Sequence, residues 1–454
     1  MTVFNRMRHG TFRSFGTRNF RLFFSGMVVS MAGTWMQTVA LSWLVLQLSG
    51  NSGVAVGLVI SFQYLPTLFF GAYGGVFIDA FDKRKVMAFT QVVQALVALL
   101  LALLTFTDVI QLWMVYAIVV LNGFALVVDN PARTTIVSEF VGDDDFPNAV
   151  GLNNATMQTA RIAGPAIAGP LIVLFGTAVC FAVNSLSFVA MLVALAMMRG
   201  SEMRRRPPIG RHKGQMRDGL RYIWRKRDLR AALLIMAVVG TLSFNMSVIT
   251  PLMAKVEFAG DAATLSWMVI ALGCGALVGA LAFATRSAVT ARLMVFSGLV
   301  FGGLLLLAAV APTLAMFLGV LAVIGATQTT FITSSNSLIQ LRADPAMRGR
   351  VMAVYNVAVL GSTPIGGPLV GWLSQQLGPR WAFVLEAVGV FLAMAVFGTV
   401  FIRACHRDRD TFERSTVPDG DHVVTAPPLT AGARTSASST PVTPPASPAP
   451  SPAR

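Results

Sequence analysis

The stretch DNPARTTIVSEFVGDDDFPNAVGLNNATMQTARIAGPAIAGP, residues 129–170, decides how the chain is read. Apolar runs long enough to cross a bilayer flank it on both sides, yet Asp129, Arg133 and Arg161 sit inside those runs. A charge near the bilayer centre costs roughly 2.5–3.5 kcal/mol on insertion scales, so such residues face a protein interior or a water-filled path. Pro131, Pro165 and Pro170 each remove a backbone donor, while Gly164 and Gly169 remove side-chain bulk. A bent, closely packed helix pair is expected. Packed helices that carry buried charge suit the moving part of a transporter.

Working outward, 55% of the 454 residues are hydrophobic and only 12% are charged, a balance typical of a polytopic membrane protein. Hydropathy marks spans near 22–48, 53–78, 86–106, 111–131, 150–174, 177–198, 231–254, 263–284, 289–310, 312–334, 351–376 and 380–402. Each has about the 20 residues that a hydrocarbon core roughly 30 Å thick requires. Links as short as Gly176-Thr177 fit helical hairpins, whereas a β-barrel would alternate in segments of about ten residues. The expected fold is an all-α polytopic membrane protein with twelve transmembrane helices in two six-helix bundles. The expected domains are a cytoplasmic segment 1–21, a first bundle 22–198, a basic linker 199–230, a second bundle 231–403 and a disordered tail 404–454.

The net charge of +15 raises the possibility of nucleic acid, but its placement argues against that partner. Of 35 Lys and Arg, only Lys255 and Arg380 fall in loops that would face outward. Arg161 lies within a span, and the rest belong to the opposite side. Positive loops stay in the cytoplasm, which predicts a multi-pass protein of the plasma membrane with both termini inside. Cys180, Cys274 and Cys405 show no disulfide framework or metal-spaced pair. His9, His212, His406 and His422 all lie outside the spans, and no Walker loop or Ser/His/Asp arrangement is present. Neither an enzyme, nor a metal, nor a cofactor is expected.

The remaining signals are local. Asp79 ends the second span and Lys83, Arg84 and Lys85 follow it, a pattern that suits either a charge-assisted lock on a neighbouring helix or a solvated positive loop. Asp143, Asp144 and Asp145 read as a solvated, helix-capping run. Residues 199–230 suggest an amphipathic surface segment around Tyr222 and Trp224. GSTPIGGPLVG at 361–371 echoes GPAIAGPL at 164–171, as expected of duplicated bundles.

These residues resemble the major facilitator superfamily. GGVFIDAFDKRKV, residues 74–86, is similar to its loop between helices 2 and 3: Gly75, Asp79, Lys83 and Arg84 match, and Asp82 replaces the usual glycine. RIAGPAIAG resembles the helix-5 motif of the superfamily's antiporters, carried here by Gly164, Pro165 and Gly169. DNPAR at 129–133, PNAVGLNN at 147–154, RGRVMAVYN at 348–356, GTWMQTVALSWLVLQL at 33–48 and GLRYIWRKRDLR at 219–230 resemble the drug:proton antiporter branch. That branch includes enterobactin exporters and macrolide-efflux proteins. The likeness spans about residues 11–403. Two departures are plain: the loop ATRSAVTAR, 284–292, has no acidic residue, and the first span has no carboxylate.

The resemblance implies that the first and fourth helices of each half line a central cavity. Gln37, Thr38, Asn122, Asn245, Gln328 and Asn336 become candidate substrate contacts, with Trp35, Phe244 and Phe331 as apolar walls; packing is the competing role for each. Such a lining suits an amphipathic small molecule. Asp129 is the first candidate for proton coupling, against a fixed ion pair with Arg133 at i+4. Arg161, ~16 Å into its helix at 1.5 Å per residue, could attract an anionic substrate, tune a carboxylate or serve as a buried strut. Glu386, in a peripheral helix by resemblance, ranks below Asp129. The expected function is a proton-coupled exporter of drug or siderophore-like molecules, acting as a monomer. A proton-coupled importer and a non-transporting receptor or scaffold are the alternatives.

Overall fold

The computed structural model describes residues 13–142, 145–203, 215–286, 289–345, 347–360 and 363–402, with backbone alone at 72–80, 147, 215–216 and 360. Twelve helices among them are long and apolar enough to cross a membrane. They are α1 (Arg18–Leu48), α2 (Gly53–Ala80), α3 (Lys83–Phe106), α4 (Leu112–Phe140), α5 (Phe146–Phe175) and α6 (Thr177–Met197). The second set is α7 (Arg227–Glu257), α8 (Ala262–Ala284), α9 (Ala291–Val310), α10 (Leu314–Arg342), α11 (Arg348–Leu377) and α12 (Pro379–Ile402).

Local chemistry explains many of the ends. Asp82 caps α3 by accepting from the Arg84 amide at 3.0 Å, and Asp261 and Thr264 form a reciprocal capping box on α8. The hydrogen bonds from Thr264 hold the Asp261 carboxyl below its ordinary range. Thr290 and Thr313 cap α9 and α10 in the same way. Gly176 (φ +83°) and Gly378 (φ +97°) make the tight α5–α6 and α11–α12 turns, where a side chain would be strained.

The packing repeats. In the first set α1 packs on α5 and α6, α2 on α4, and α3 on α4 and α6; the second set makes the same pairs six helices later. Two such bundles meet chiefly through α2 on α11 and α5 on α8. Within lipid no hydrophobic force drives helices together, so close packing of small residues does the work. At Gly53 against Gly371, and Gly57 against Gly367, the backbones approach so closely that an added Cβ would overlap the facing carbonyl. Ser61 donates to the Pro364 carbonyl at 2.8 Å, Ser52 to Gln375 at 3.0 Å, and Lys255 lies 5.1 Å over the Trp43 ring. All of these cross-bundle contacts lie in the half of the molecule nearest the α1–α2 turn, here the far end. At the opposite, linker end, Thr134 on α4, Asn154 on α5 and Leu341 on α10 are exposed.

The prolines of α4 and α5 do not end their helices. Helices α4 and α5 run uninterrupted with Pro131, Pro165 and Pro170 inside them. A membrane helix tolerates proline because neighbouring groups satisfy the freed carbonyl. The interruption falls in α7, where helix stops at Ser243 and restarts at Met246, with a wide turn over Met253–Glu257.

A short helix, Gln215–Arg225, precedes α7 and docks on the second bundle. It buries Ile223 and leaves Leu220 and Trp224 exposed, as expected of an amphipathic segment. Lys226 donates to Asp344 at 2.9 Å, a bond that holds the Asp344 carboxyl below its ordinary value. At the other terminus, Arg13 pairs with Asp145 at 2.6 Å. Asp145 therefore serves as an ion-pair partner and makes no capping bond to α5. Asp143 and Asp144 lie outside the described residues.

Candidate functional site

Three polar assemblies lie within the apolar bundles. The first sits on the bundle interface, where Trp35 and Thr38 of α1, Arg161 of α5, Ser247 and Thr250 of α7 and Leu272 of α8 line a half-open cavity of about 60 Å³. That volume holds roughly two waters at ~30 Å³ each, so a larger guest requires the bundles to move apart. Close approach at Gly164, where an added Cβ would lie 2.6 Å from that of Trp35, sets α1 against α5. The Arg161 guanidinium lies 5.4 Å from the Trp35 ring centroid, and its Nε has no hydrogen-bond partner. Among the described residues no carboxylate pairs with Arg161. The site is an aromatic wall, several hydroxyls and one uncompensated cation. A shallower recess of about 700 Å³ opens at the far end beside Gln47, Asp108 and Asp261.

The second assembly is built on Asp129, which is 2% exposed. It accepts from Thr90 at 2.7 Å and Gln91 at 3.0 Å on α3, and from Arg133 Nε and Nη2 at 3.1 and 3.0 Å. The i+4 spacing on α4 brings the guanidinium alongside, and α3 supplies the other donors. Four donors meet one carboxylate, two of them from a forked cation, and tie α3 to α4.

The third lies at the linker end. Lys83 reaches Glu139 on α4 at 2.6 Å, and Arg84 donates to the Ala196 carbonyl of α6 at 3.0 Å. The Lys83–Glu139 pair is a charge-assisted contact between α3 and α4. Gly75 and Asp79 belong to α2, but Asp79's side chain lies outside the described residues. Because the Lys83 and Glu139 side chains are only 14% and 7% exposed, water replaces the bond poorly. Lys83→Ala is expected to cost about 3–5 kcal/mol, as for other broken buried pairs, and Glu139→Gln made with it to recover part of that, read by thermal unfolding of the purified protein.

The other sequence candidates disperse. Gln37 accepts from Asn184 of α6 at 2.7 Å, so it braces α1 within its own bundle. Asn245 is 2% exposed and belongs to the α7 break, and Phe331 is fully buried against Phe244, ring centroids 6.4 Å apart. Those two are interior residues and not cavity walls, because neighbouring helices turn their faces inward. Phe244 is half-buried between Phe301 and Phe331, Asn336 accepts from Gln340 at 2.5 Å, and Asn122 and Gln328 are half-buried. Gly169 packs on Ser266 across the interface, and Pro165 follows the α1 contact of Gly164. Glu139, Thr90 and Gln91 escaped the sequence reading, since each partner is 38 residues or more away along the chain.

Two bundles of six helices with one set of packing pairs, meeting at α2–α11 and α5–α8, define the major facilitator class of membrane transporters. The likeness extends to solved structures: a bacterial homologue of the human lysosomal transporter Spinster, in an inward-facing, unoccupied conformation, matches with TM-score 0.66. That match has 12% identity over 86% of this chain and 98% of the other. The sequence profile of the transmembrane secretion effector family of that superfamily matches residues 9–425, and the chain belongs to this family. Among its relatives, the multidrug efflux pump Tap of Mycobacterium tuberculosis is 26% identical, covering 80% of this chain and 88% of Tap. Macrolide efflux protein A of Streptococcus pyogenes is 21% identical, over 81% of this chain and 92% of that protein. The chain is therefore a multi-pass membrane transporter related to efflux pumps, and not an enzyme.

Proposed function

We propose that the chain is a proton-coupled exporter of amphipathic small molecules that works by alternating access, with both termini in the cytoplasm. The observation that carries this reading is the interface cavity at Trp35, Thr38 and Arg161, beneath a far-end seal of paired glycines. A site on the contact surface of two rigid bundles is exposed to one side and then the other as they rock. The kinship with Tap and macrolide efflux protein A favours export.

In this reading Trp35 stacks on the apolar body of the substrate, and Arg161 takes an anionic or acceptor-rich group. A hydrogen bond to a charged group contributes about 1.5–3 kcal/mol, so Arg161→Gln is expected to raise the half-saturating concentration of an acidic substrate about ten- to a hundredfold. Neutral substrates of similar size should change little, and equal losses for both would make Arg161 a structural strut.

The reading is tested with the purified chain in liposomes that enclose a pH-sensitive dye. An imposed proton gradient should collapse faster when a transported compound is added. A gradient that no member of a panel of drugs and carboxylate siderophores alters would contradict proton coupling.

A further inference from the structure

Glu386 is a buried acid that none of the assemblies above employs. It lies on α12, is fully buried, and has no ion-pair partner among the described residues. Its Oε1 accepts from the Asn245 backbone N–H at 3.0 Å, while Oε2 has no hydrogen-bond partner. Asn245 is the residue at which α7 breaks.

The hydrogen bonds at the break explain one another. In an unbroken helix the Asn245 N–H would donate to the Thr241 carbonyl four residues back. Here that N–H goes to Glu386, and the Asn245 side-chain amide takes its place on the Thr241 carbonyl at 2.9 Å. Ser243 donates to the Glu386 carbonyl oxygen at 2.7 Å, which fixes α12 against the same turn. The break in α7 is thus held open by an acid from a neighbouring helix.

Among the described residues, the surroundings offer Glu386 no compensating charge. On α7, Arg227 is exposed, Asp228 faces Arg342, Arg230 lies over Trp224, and Lys255 lies over Trp43. Glu257 pairs with Arg380, which stands six residues before Glu386, or about 9 Å along the helix. Arg292 on α9 is exposed at the linker end. On α11, Arg348 donates to the Gln340 carbonyl, Arg350 faces Asp218, and Tyr355 donates to the Ile332 carbonyl. An ionised carboxylate without a partner is costly in such a site, and a proton is the smallest ligand that neutralises it.

We infer that Glu386 is a proton-binding site whose occupancy sets the α7 break. The inference rests on reading the chain as an alternating-access transporter and gives that reading its coupling group. A hydronium ion gives its proton to Oε2: one O–H bond of the hydronium breaks as the O–H bond of the acid forms, a water molecule is released, and the reverse transfer to water later unloads the site. Loading turns the charge-assisted bond from Asn245 into a neutral one of about half the strength. The Asn245 N–H is then free to return to Thr241 and close the helix. Gly366 of α11 packs directly on the Thr241 carbonyl and the Asn245 amide, and its neighbour Gly367 meets Gly57 of the other bundle. A change at the break therefore has a short contact path to the far-end seal.

The test uses the full chain in nanodiscs, its native cysteines replaced, with spin labels on the exposed sites Thr134→Cys and Leu341→Cys. Their separation is followed against pH. The expected result is a reversible pH-dependent change that Glu386→Gln abolishes, locking the distance at the low-pH value, while a labelled Asn154→Gln control, at an exposed site, still titrates. A Glu386→Gln protein that titrates like its parent would overturn the inference. If Glu386→Gln is not recovered folded, Glu386→Asp keeps the carboxyl but moves it; a shifted midpoint supports the site and an unchanged one refutes it. Loss of the titration in Glu386→Gln, with no proton-linked transport in liposomes, would leave the site standing and remove the functional reading. Proton-linked transport together with an unaltered titration would do the reverse.

Discussion

Asp129→Asn is expected to cost the fold about 3–5 kcal/mol, the usual range when one partner of a buried ion pair is removed. The substitution leaves the Arg133 guanidinium, with its side chain 7% exposed, facing a neutral amide. It also turns one acceptor oxygen into a donor beside Thr90, Gln91 and Arg133, which all donate. The double variant Asp129→Asn/Arg133→Gln removes the stranded charge and should recover most of the loss. Thermal unfolding of purified protein in detergent reads both. Unaltered stability in Asp129→Asn, together with loss of protonophore-sensitive transport, would instead make Asp129 the proton carrier.

The second large effect concerns the far-end seal. At Gly57 an added Cβ would overlap the Gly367 carbonyl, and it would lie 2.6 Å from the Gly367 carbonyl carbon and 2.8 Å from the Pro368 nitrogen. These neighbours are backbone atoms of α11, which cannot swing aside as a side-chain tip does. Gly57→Val is therefore expected to oppose the sealed arrangement by about 1–3 kcal/mol, a shift of about 5–150-fold toward open far ends. Transport should fall accordingly while the protein still folds, because each bundle keeps its own packing. Cysteine accessibility at Ser52, beside the seal, checks this: labelling should rise in Gly57→Val. Unchanged labelling would mean that α2 and α11 adjust around the methyl groups.

The twelve spans were legible because each is a long apolar run between polar links, and the duplicated architecture showed in the echo of 164–171 at 361–371. The short link at Gly176-Thr177 was as plain, and there the structure gives Gly176 a positive φ. The site was less legible. A sequence gives the polar residues on a helix but not its rotation, which neighbouring helices set. Trp35, Thr38 and Arg161 thus reach the interface, whereas Gln37, Asn245 and Phe331 turn inward. The prolines also gave no sign of where a helix stops. Helices α4 and α5 run past three prolines, while α7 breaks where Glu386, 141 residues away, captures the Asn245 N–H. That break is a tertiary event with no local signal beyond Asn245 and the proline that follows at 251.

Export is the claim on which the account turns, and retention of preloaded compounds measures it directly. Cells with and without the protein are loaded with fluorescent drugs and a radiolabelled carboxylate siderophore, and loss is followed with and without a protonophore. The account predicts faster loss of at least one compound in cells carrying the protein, abolished by the protonophore. Faster accumulation would mean import, and equal retention of every compound under both conditions would contradict proton-coupled export of this substrate class.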